Sequence, residues 1–201
     1  MSHQYFDNVE NLKSDVKEID FYYYGSKLRF RTDSGVFSKT YIDYGSQVLL
    51  KAVDFPVESK SLLDVGCGYG AIGISLASRY PNIRVDMIDV NLRAIELAKQ
   101  NIQLNQLNNA HVSQSDVYQS ITSTYDVIVT NPPIRAGKQV VHAIFVGSKD
   151  HLNMGGVIFV VIQKKQGAPS ALKKLEEVFG NVEIIVKDSG YYILKSTKKE
   201  I

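Results

Sequence analysis

From residue 61 onward, short apolar runs alternate with longer segments whose apolar positions recur every three or four residues. Ser61-Leu-Leu-Asp-Val65, Arg84–Asp89, Ala110–Ser115, Tyr125–Thr130 and Gly156–Ile162 are compact runs bounded by polar or glycine-rich stretches, and they predict strands. The run at Gly156–Ile162 is apolar almost throughout, as expected of a strand covered on both faces. Between these runs, Ile72, Leu76 and Tyr80 lie at helical spacing, as do Ile95, Ala98 and Ile102 with Asn91 as their cap. Val141, Ile144, Phe145 and Leu152 share a third helical face. Leu172, Leu175 and Phe179 mark a fourth, with Pro169 in its first turn and Gly180 at its stop. Two closing strands, Val182–Lys187 and Tyr191–Lys195, are joined by Asp188-Ser-Gly190, too short for a crossover helix, so they should pair antiparallel. The pattern therefore predicts an α/β fold: a seven-stranded, mostly parallel sheet with an antiparallel last strand and helices on both faces.

The N-terminal region follows a different rhythm. Phe21–Tyr24 and Lys27–Arg31 read as a β-hairpin turning at Gly25-Ser26 in a type II′ turn. Leu28 and Phe30 alternate with Lys27, Arg29 and Arg31, which makes one face apolar and the other basic. Ser46 to Phe55 reads as a short helix. The expected organisation is an N-terminal hairpin and helix, residues 1–55, packed on a catalytic domain, residues 56–201.

Composition narrows the class. A chain of 201 residues with 44% hydrophobic and 22% charged positions suits a soluble globular domain, not a disordered or fibrous one. No apolar run approaches the roughly 20 residues of a membrane span, and the start, Met1-Ser-His-Gln-Tyr, carries no signal-peptide pattern. Cys67 is the single cysteine and has no internal disulfide partner, so the expected location is the cytoplasm. The four histidines (His3, His111, His142, His151) and that thiol match no metal-ligand spacing, so no metal is expected.

The chemistry sits at strand ends, where ligands of such sheets bind. Asp64-Val-Gly66-Cys-Gly68-Tyr-Gly70 closes the first strand of the alternating region and opens a helix. Glycines there permit a sharp turn and close approach to a ligand, and taken alone they also suit a dinucleotide. Asp64 argues against a pyrophosphate and for a cationic ligand bearing an ammonium and a sulfonium. Asp89 can accept both hydroxyls of a ribose, and Asp116 can accept from an adenine amine. Asn131-Pro132-Pro133-Ile134 closes the fourth strand of that region. Prolines fix the backbone and donate nothing, so their carbonyls and the Asn131 side-chain oxygen form a set of acceptors for a planar –NH₂. Holding both amine protons aims the nitrogen lone pair at a methyl carbon and favours the charge that develops there.

These motifs resemble class I S-adenosylmethionine-dependent methyltransferases acting on amino nitrogens. The narrower likeness is to the methyltransferase small domain group, the ribosomal RNA small-subunit methyltransferase C-like guanine-N2 enzymes, and within it to short single-domain bacterial members. It is carried by Gly35–Ser38, Asp43–Ser46, Leu62–Gly70, Val129–Lys138 and Val161–Ala168 and spans roughly residues 20 to 195. The resemblance implies a Rossmann-like fold and S-adenosylmethionine as cofactor. It implies cofactor contacts from Asp64, Gly66, Cys67, Gly68, Gly70, Asp89, Val90, Asp116, Val117 and Asn131. Within that set the methionine moiety falls on Asp64, Gly66 and Gly68, the ribose on Asp89 and adenine on Asp116. Asn131, Pro132 and Pro133 become the catalytic set. Phe37 and Asp43 match positions near the active-site mouth. Ile134 departs from the aromatic residue that many amino-methyltransferases place after the prolines, where it stacks on a flipped base.

Arg135, Lys138, Lys164 and Lys165 stand near the predicted catalytic edge, and Arg29, Arg31 and Lys39 come from the N-terminal segment. The net charge of +2 is then partly a cancellation between an acidic cofactor site and a basic rim suited to RNA. With Phe37, Asp43 and Ile134, the basic residues after the prolines and after Ile162 make up the candidate substrate set. The favoured reading is transfer of a methyl group to guanine N2 in ribosomal RNA, free or within a ribosomal subunit. Methylation of DNA adenine or protein glutamine, and a non-catalytic nucleic-acid-binding or assembly protein on the same fold, remain open alternatives. An NAD-linked oxidoreductase is disfavoured by Asp64.

Overall fold

The structure, a computed structural model, describes residues 15–33 and 41–200. Strands β1 (Lys17–Tyr23) and β2 (Ser26–Thr32) form a hairpin, followed by α1 (Tyr44–Ala52). The alternating region contributes β3 (Ser61–Val65), α2 (Ala71–Arg79), β4 (Arg84–Asp89), α3 (Leu92–Leu104), β5 (Ala110–Gln114) and β6 (Tyr125–Thr130). A 3-10 turn (Ile134–Ala136), α4 (Lys138–His151), β7 (Leu152–Gln163), α5 (Ala168–Phe179), β8 (Glu183–Asp188) and β9 (Tyr191–Thr197) complete it.

The sheet order is β5-β4-β3-β6-β7-β9-β8, with β9 inserted antiparallel between β7 and β8. All other neighbours run parallel. Successive residues of the central strands point to opposite faces, and each face is covered. Leu62, Val127, Val129, Val157 and Phe159 pack with residues of α1, α2 and the hairpin. Leu63, Ile128, Ile158 and Val160 pack under α4 and α5. A strand buried on both faces needs no polar alternation, hence the apolar run of β7. The crossovers leave β3 in opposite directions, toward β4 on one side and β6 on the other, so the strand order reverses there and opens a crevice at the carboxyl ends.

The hairpin shares the core of the sheet: Tyr23, Leu28 and Phe30 belong to the same buried cluster as Leu62 and Val85. Its turn differs from the type II′ turn at Gly25-Ser26. Tyr23 pairs with Ser26, so the loop is Tyr24-Gly25, and both residues have positive φ (45° and 83°), as a type I′ turn requires. A tyrosine tolerates that conformation here because its ring holds the Arg79 guanidinium, 3.1 Å from the centroid, and meets the Tyr23 ring edge-on. Leu152 also differs: it leaves the helical face and begins β7, 1% exposed, because an apolar residue between helix and strand fits either period. The helix expected from Ser46 starts two residues earlier, at Tyr44.

One polar device ties hairpin, helix and glycine loop together. Asn101 of α3 accepts from the Arg31 N–H (2.7 Å) and donates to the carbonyls of Arg31 (3.0 Å) and Tyr69 (2.9 Å). One turn later Asn105 accepts from Arg29 N–H and donates to the Arg29 carbonyl. Four residues of helix rise about 6 Å and two of strand about 6.6 Å, so the two ladders stay in step. Asn101 is fully buried. Asn101→Ala is expected to destabilise the protein by about 3 kcal/mol, since it leaves the buried Tyr69 carbonyl and the part-buried N–H and C=O of Arg31 without that partner. Urea denaturation of the two proteins measures the difference.

Candidate active site

The floor of the site is the glycine loop between β3 and α2. Its geometry separates the two ligands that the glycines alone allow. The N–H groups of Gly66 and Cys67 both donate to the Ile88 carbonyl (2.9 Å each), Gly68 N–H donates to Asp89 Oδ2 (2.8 Å), and Gly70 N–H to the Cys67 carbonyl (3.0 Å). Those donors are committed within the protein and do not make a phosphate cradle. Carboxylates face the loop instead. Asp64 is fully buried; its Oδ2 accepts from Gly73 N–H (2.9 Å), while Oδ1 is buried with no hydrogen-bond partner among the described residues. A side chain at residue 73 would collide with Met87 and crowd Asp64 Oδ2, so glycine is what lets α2 close over that carboxylate.

Burial pushes the Asp64 carboxyl up to about 7, opposed by the Gly73 hydrogen bond and assisted by the negative Asp89. An orphaned carboxylate oxygen in a desolvated floor suits a cationic group that donates hydrogen bonds, as the ammonium of S-adenosylmethionine does. Gly66 and Gly68, at φ 73° and 57°, adopt a backbone that favours glycine, and the space above Gly68 is open. These residues therefore fit the cofactor.

Asp89 ends β4, nearly buried, with Oδ1 held by Asn91 N–H (2.9 Å). Burial raises its carboxyl above the usual range, against the hydrogen bonds from Asn91, Gly68 and Val90. Next to it lies a mostly apolar cleft lined by Val65, Gly66, Ile88, Asp89, Val90, Ser115, Asp116, Val117, Pro133, Val140 and Ile144. Asp89, Val90, Asp116 and Val117 are thus brought together across β4 and β5, in a slot that suits a flat purine. Val117 has φ 51°, strained for a β-branched residue and located at the cleft wall. The Cys67 thiol is buried, donates to the Gly68 carbonyl, and is raised well above its ordinary range by that burial and by Asp89 and Asp64. Gly70 stands in the left-handed conformation that caps α2.

The acceptor side of the crevice begins where β6 ends. The Thr130 hydroxyl donates to the Val65 carbonyl (2.9 Å), anchoring that end of β6 to β3. Asn131 follows, half-buried, and its Nδ2 donates to Asp43 Oδ1 (3.2 Å) and Ser46 Oγ (3.1 Å). The two prolines take different parts. The Pro133 carbonyl accepts from Ala136 N–H (2.9 Å) and so belongs to the 3-10 turn, while its ring lines the cleft. Of the two proline carbonyls this leaves that of Pro132 for a ligand, and Pro133 is a wall where the sequence suggested a further acceptor.

Around this centre, Ile134, Arg135 and Lys138 are exposed on the turn and at the start of α4, and Lys164 and Lys165 are exposed beyond β7. Arg29 and Arg31 lie elsewhere. They run beside α3, with Arg29 against Asn105 at the end remote from Asp89, and Arg31 pairs with Glu18 (3.0 Å). The hairpin's register on α3 removes them from the rim. Phe37 and Lys39 fall outside the described residues. Residue-level reading missed Ser46 as a partner of Asn131 and Tyr191 as a neighbour of the mouth. The Asp43-x-x-Ser46 spacing of an N-cap was the available signal.

Comparison with known proteins agrees with this geometry. Residues 27–195 match the methyltransferase small domain family. The chain is 47% identical over 200 residues to the uncharacterised protein YbxB of Bacillus subtilis, covering 98% of this chain and all of that protein. It is 34% identical over 176 residues to ribosomal RNA small subunit methyltransferase C of Erwinia tasmaniensis, covering 86% of this chain and 50% of the relative. The chain thus spans about half the length of the ribosomal RNA methyltransferases it resembles. Among solved structures, the 16S rRNA N2 methyltransferase RsmC of T. thermophilus, in complex with AdoMet and guanosine, superimposes with a TM-score of 0.83 at 28% identity, covering 94% of this chain and 52% of that one. Cradle, cleft and matched sequence agree: the chain belongs to the methyltransferase small domain family, and its cofactor is S-adenosylmethionine.

Proposed function

We propose that the protein transfers a methyl group to an exocyclic amine of a nucleobase, guanine N2 of ribosomal RNA, acting in the cytoplasm on free RNA or a ribosomal subunit. The observation that carries this reading is Asn131, whose amide protons are both engaged by Asp43 and Ser46 while its side-chain oxygen remains for a ligand. That oxygen and the Pro132 carbonyl are assigned the two protons of the target amine. Accepting both fixes the plane of the –NH₂ and aims the nitrogen lone pair at the methyl carbon. When bound, S-adenosylmethionine would supply the methyl group as an electrophile, its sulfonium–methyl bond breaking with the electron pair left on sulfur as the neutral thioether of S-adenosylhomocysteine. As the N–C bond forms, positive charge grows on nitrogen, and two acceptors already in place stabilise it. The resulting ammonium is acidic enough to lose its proton to water. Relatives named as ribosomal RNA methyltransferases, and the solved neighbour with guanosine, support RNA guanine as the acceptor.

Methyl-label transfer into undermodified small ribosomal subunits, naked ribosomal RNA, DNA and total protein, followed by nucleoside mass spectrometry, tests the reading. Label in N2-methylguanosine is expected; label only in DNA or protein overturns it. Arg135, Lys138, Lys164 and Lys165 are assigned to the RNA backbone. Replacing Lys164 and Lys165 together by alanine is expected to weaken RNA binding. It should also lower the slope of log affinity against log salt by about 0.7 for each phosphate that is no longer neutralised. Filter binding across a salt series reads both, and an unchanged slope removes these lysines from the interface.

A further inference from the structure

We propose that Asp43, together with Ser46, is the positioning residue that locks the face of the Asn131 amide, so that its oxygen and not its –NH₂ meets the substrate. The proposal rests on the amine-transfer reading above and deepens it. A free asparagine side chain presents either atom, because oxygen and nitrogen have nearly the same shape. A neighbour held so that it presents an acceptor there, and no donor, decides between them. Asp43 is such a neighbour: its carboxylate is acceptor-only and lies 3.2 Å from the Asn131 amide, so the atom facing it is the nitrogen. Ser46 Oγ takes the second proton at 3.1 Å. Both donors are consumed, and rotating the amide would set its oxygen against a carboxylate.

The clamp is itself held. Asp43 Oδ1 also accepts from Ser46 N–H (3.0 Å) as the cap of α1, and the Gln47 side chain donates to the Ile42 carbonyl (2.6 Å). Tyr44 donates through its hydroxyl to Asp188 (2.9 Å), and Gly45 is the small residue against which the Tyr191 ring packs. The first turn of α1 is thereby pinned between the end of β6 and the β8–β9 turn. A locked acceptor favours a target that donates, an amine, and opposes a base carbonyl at the same place. Asp43 thus contributes to the choice of atom without touching it.

Two substitutions separate this role from helix capping. Asp43→Ser keeps a good N-cap but is too short to reach Asn131, whereas Asp43→Asn retains an oxygen that can accept from both donors. Side-chain amide NMR of Asn131 in the full-length protein reads the clamp directly, and steady-state kinetics on the accepted RNA read its consequence. The expected result is an Asn131 amide signal in Asp43→Ser that moves toward that of a free asparagine. Its kcat should fall at least about tenfold while KM for RNA and the S-adenosylmethionine Kd stay within about threefold. Asp43→Asn should recover at least about fivefold of that loss. An unmoved Asn131 signal in Asp43→Ser, a kcat within about twofold of wild type, or equal impairment of the two variants overturns the proposal. Absence of transfer by the wild-type protein to every acceptor counts against the amine-transfer reading alone, since the NMR experiment still decides the clamp.

Discussion

Asn131→Ala is expected to reduce methyl transfer at least about 100-fold while leaving the S-adenosylmethionine Kd within a few-fold, since removing one preorganised acceptor costs about 10²–10³ in rate. The asymmetry follows from position. Asn131 lies beyond the end of β6, and its side-chain hydrogen bonds run to Asp43 and Ser46 at the start of α1 and not to the glycine loop. Truncation therefore removes the oxygen assigned to the amine and leaves the acidic floor and apolar cleft intact. Single-turnover transfer with calorimetric titration of the cofactor separates the two effects. Near-full activity in the variant would remove the amine-positioning role.

The second large effect is a pH dependence of cofactor binding centred on Asp64. Its carboxyl is raised to about 7, so between the ordinary carboxylate range and that pH the folded protein holds a proton the unfolded chain has released. The stability of the cofactor-free protein therefore falls as pH rises through this window and levels off above about 7. Binding runs the other way. A cationic cofactor needs the carboxylate, so below about 7 association must expel the proton, and affinity falls by up to about tenfold per pH unit. Above that point the Asp64 carboxyl adds no further pH dependence. Asp64→Asn should abolish both dependences and weaken binding about 10- to 100-fold near neutrality, the range expected when a charge-assisted hydrogen bond is replaced by a neutral one. Calorimetry in buffers of different ionisation enthalpy counts the released proton directly. Affinity that does not change on acidification below neutrality would exclude Asp64 as the cation's partner.

Legibility differed between the two halves of the site for a definite reason. The cofactor half is built from strand–turn–helix units, and Asp64, Gly66, Gly68, Asp89 and Asn91 each declare themselves within a few residues of a strand end. The acceptor half was legible only as the Asn-Pro-Pro peptide. Which Asn131 atom is presented depends on Asp43 and Ser46, more than eighty residues earlier in the chain. The basic rim was partly misread for a similar reason. Charge alternation in β2 made Arg29 and Arg31 look available, but the Asn101 and Asn105 ladders lay that strand along α3 instead.

By itself, then, the sequence determined what local periodicity and backbone stereochemistry control. These are the alternation of strands and helices, the antiparallel closing pair, the glycine turn beneath a carboxylate, and the proline-fixed end of β6. Tertiary structure decided what depends on which surfaces meet. It set the order β5-β4-β3-β6-β7-β9-β8 that opens the crevice beside β3, the I′ turn in which the Tyr24 ring stacks on Arg79, and the amide face of Asn131. Each of these is a balance between a local cost and an interaction formed far away in sequence, and a pattern read along the chain contains only the first.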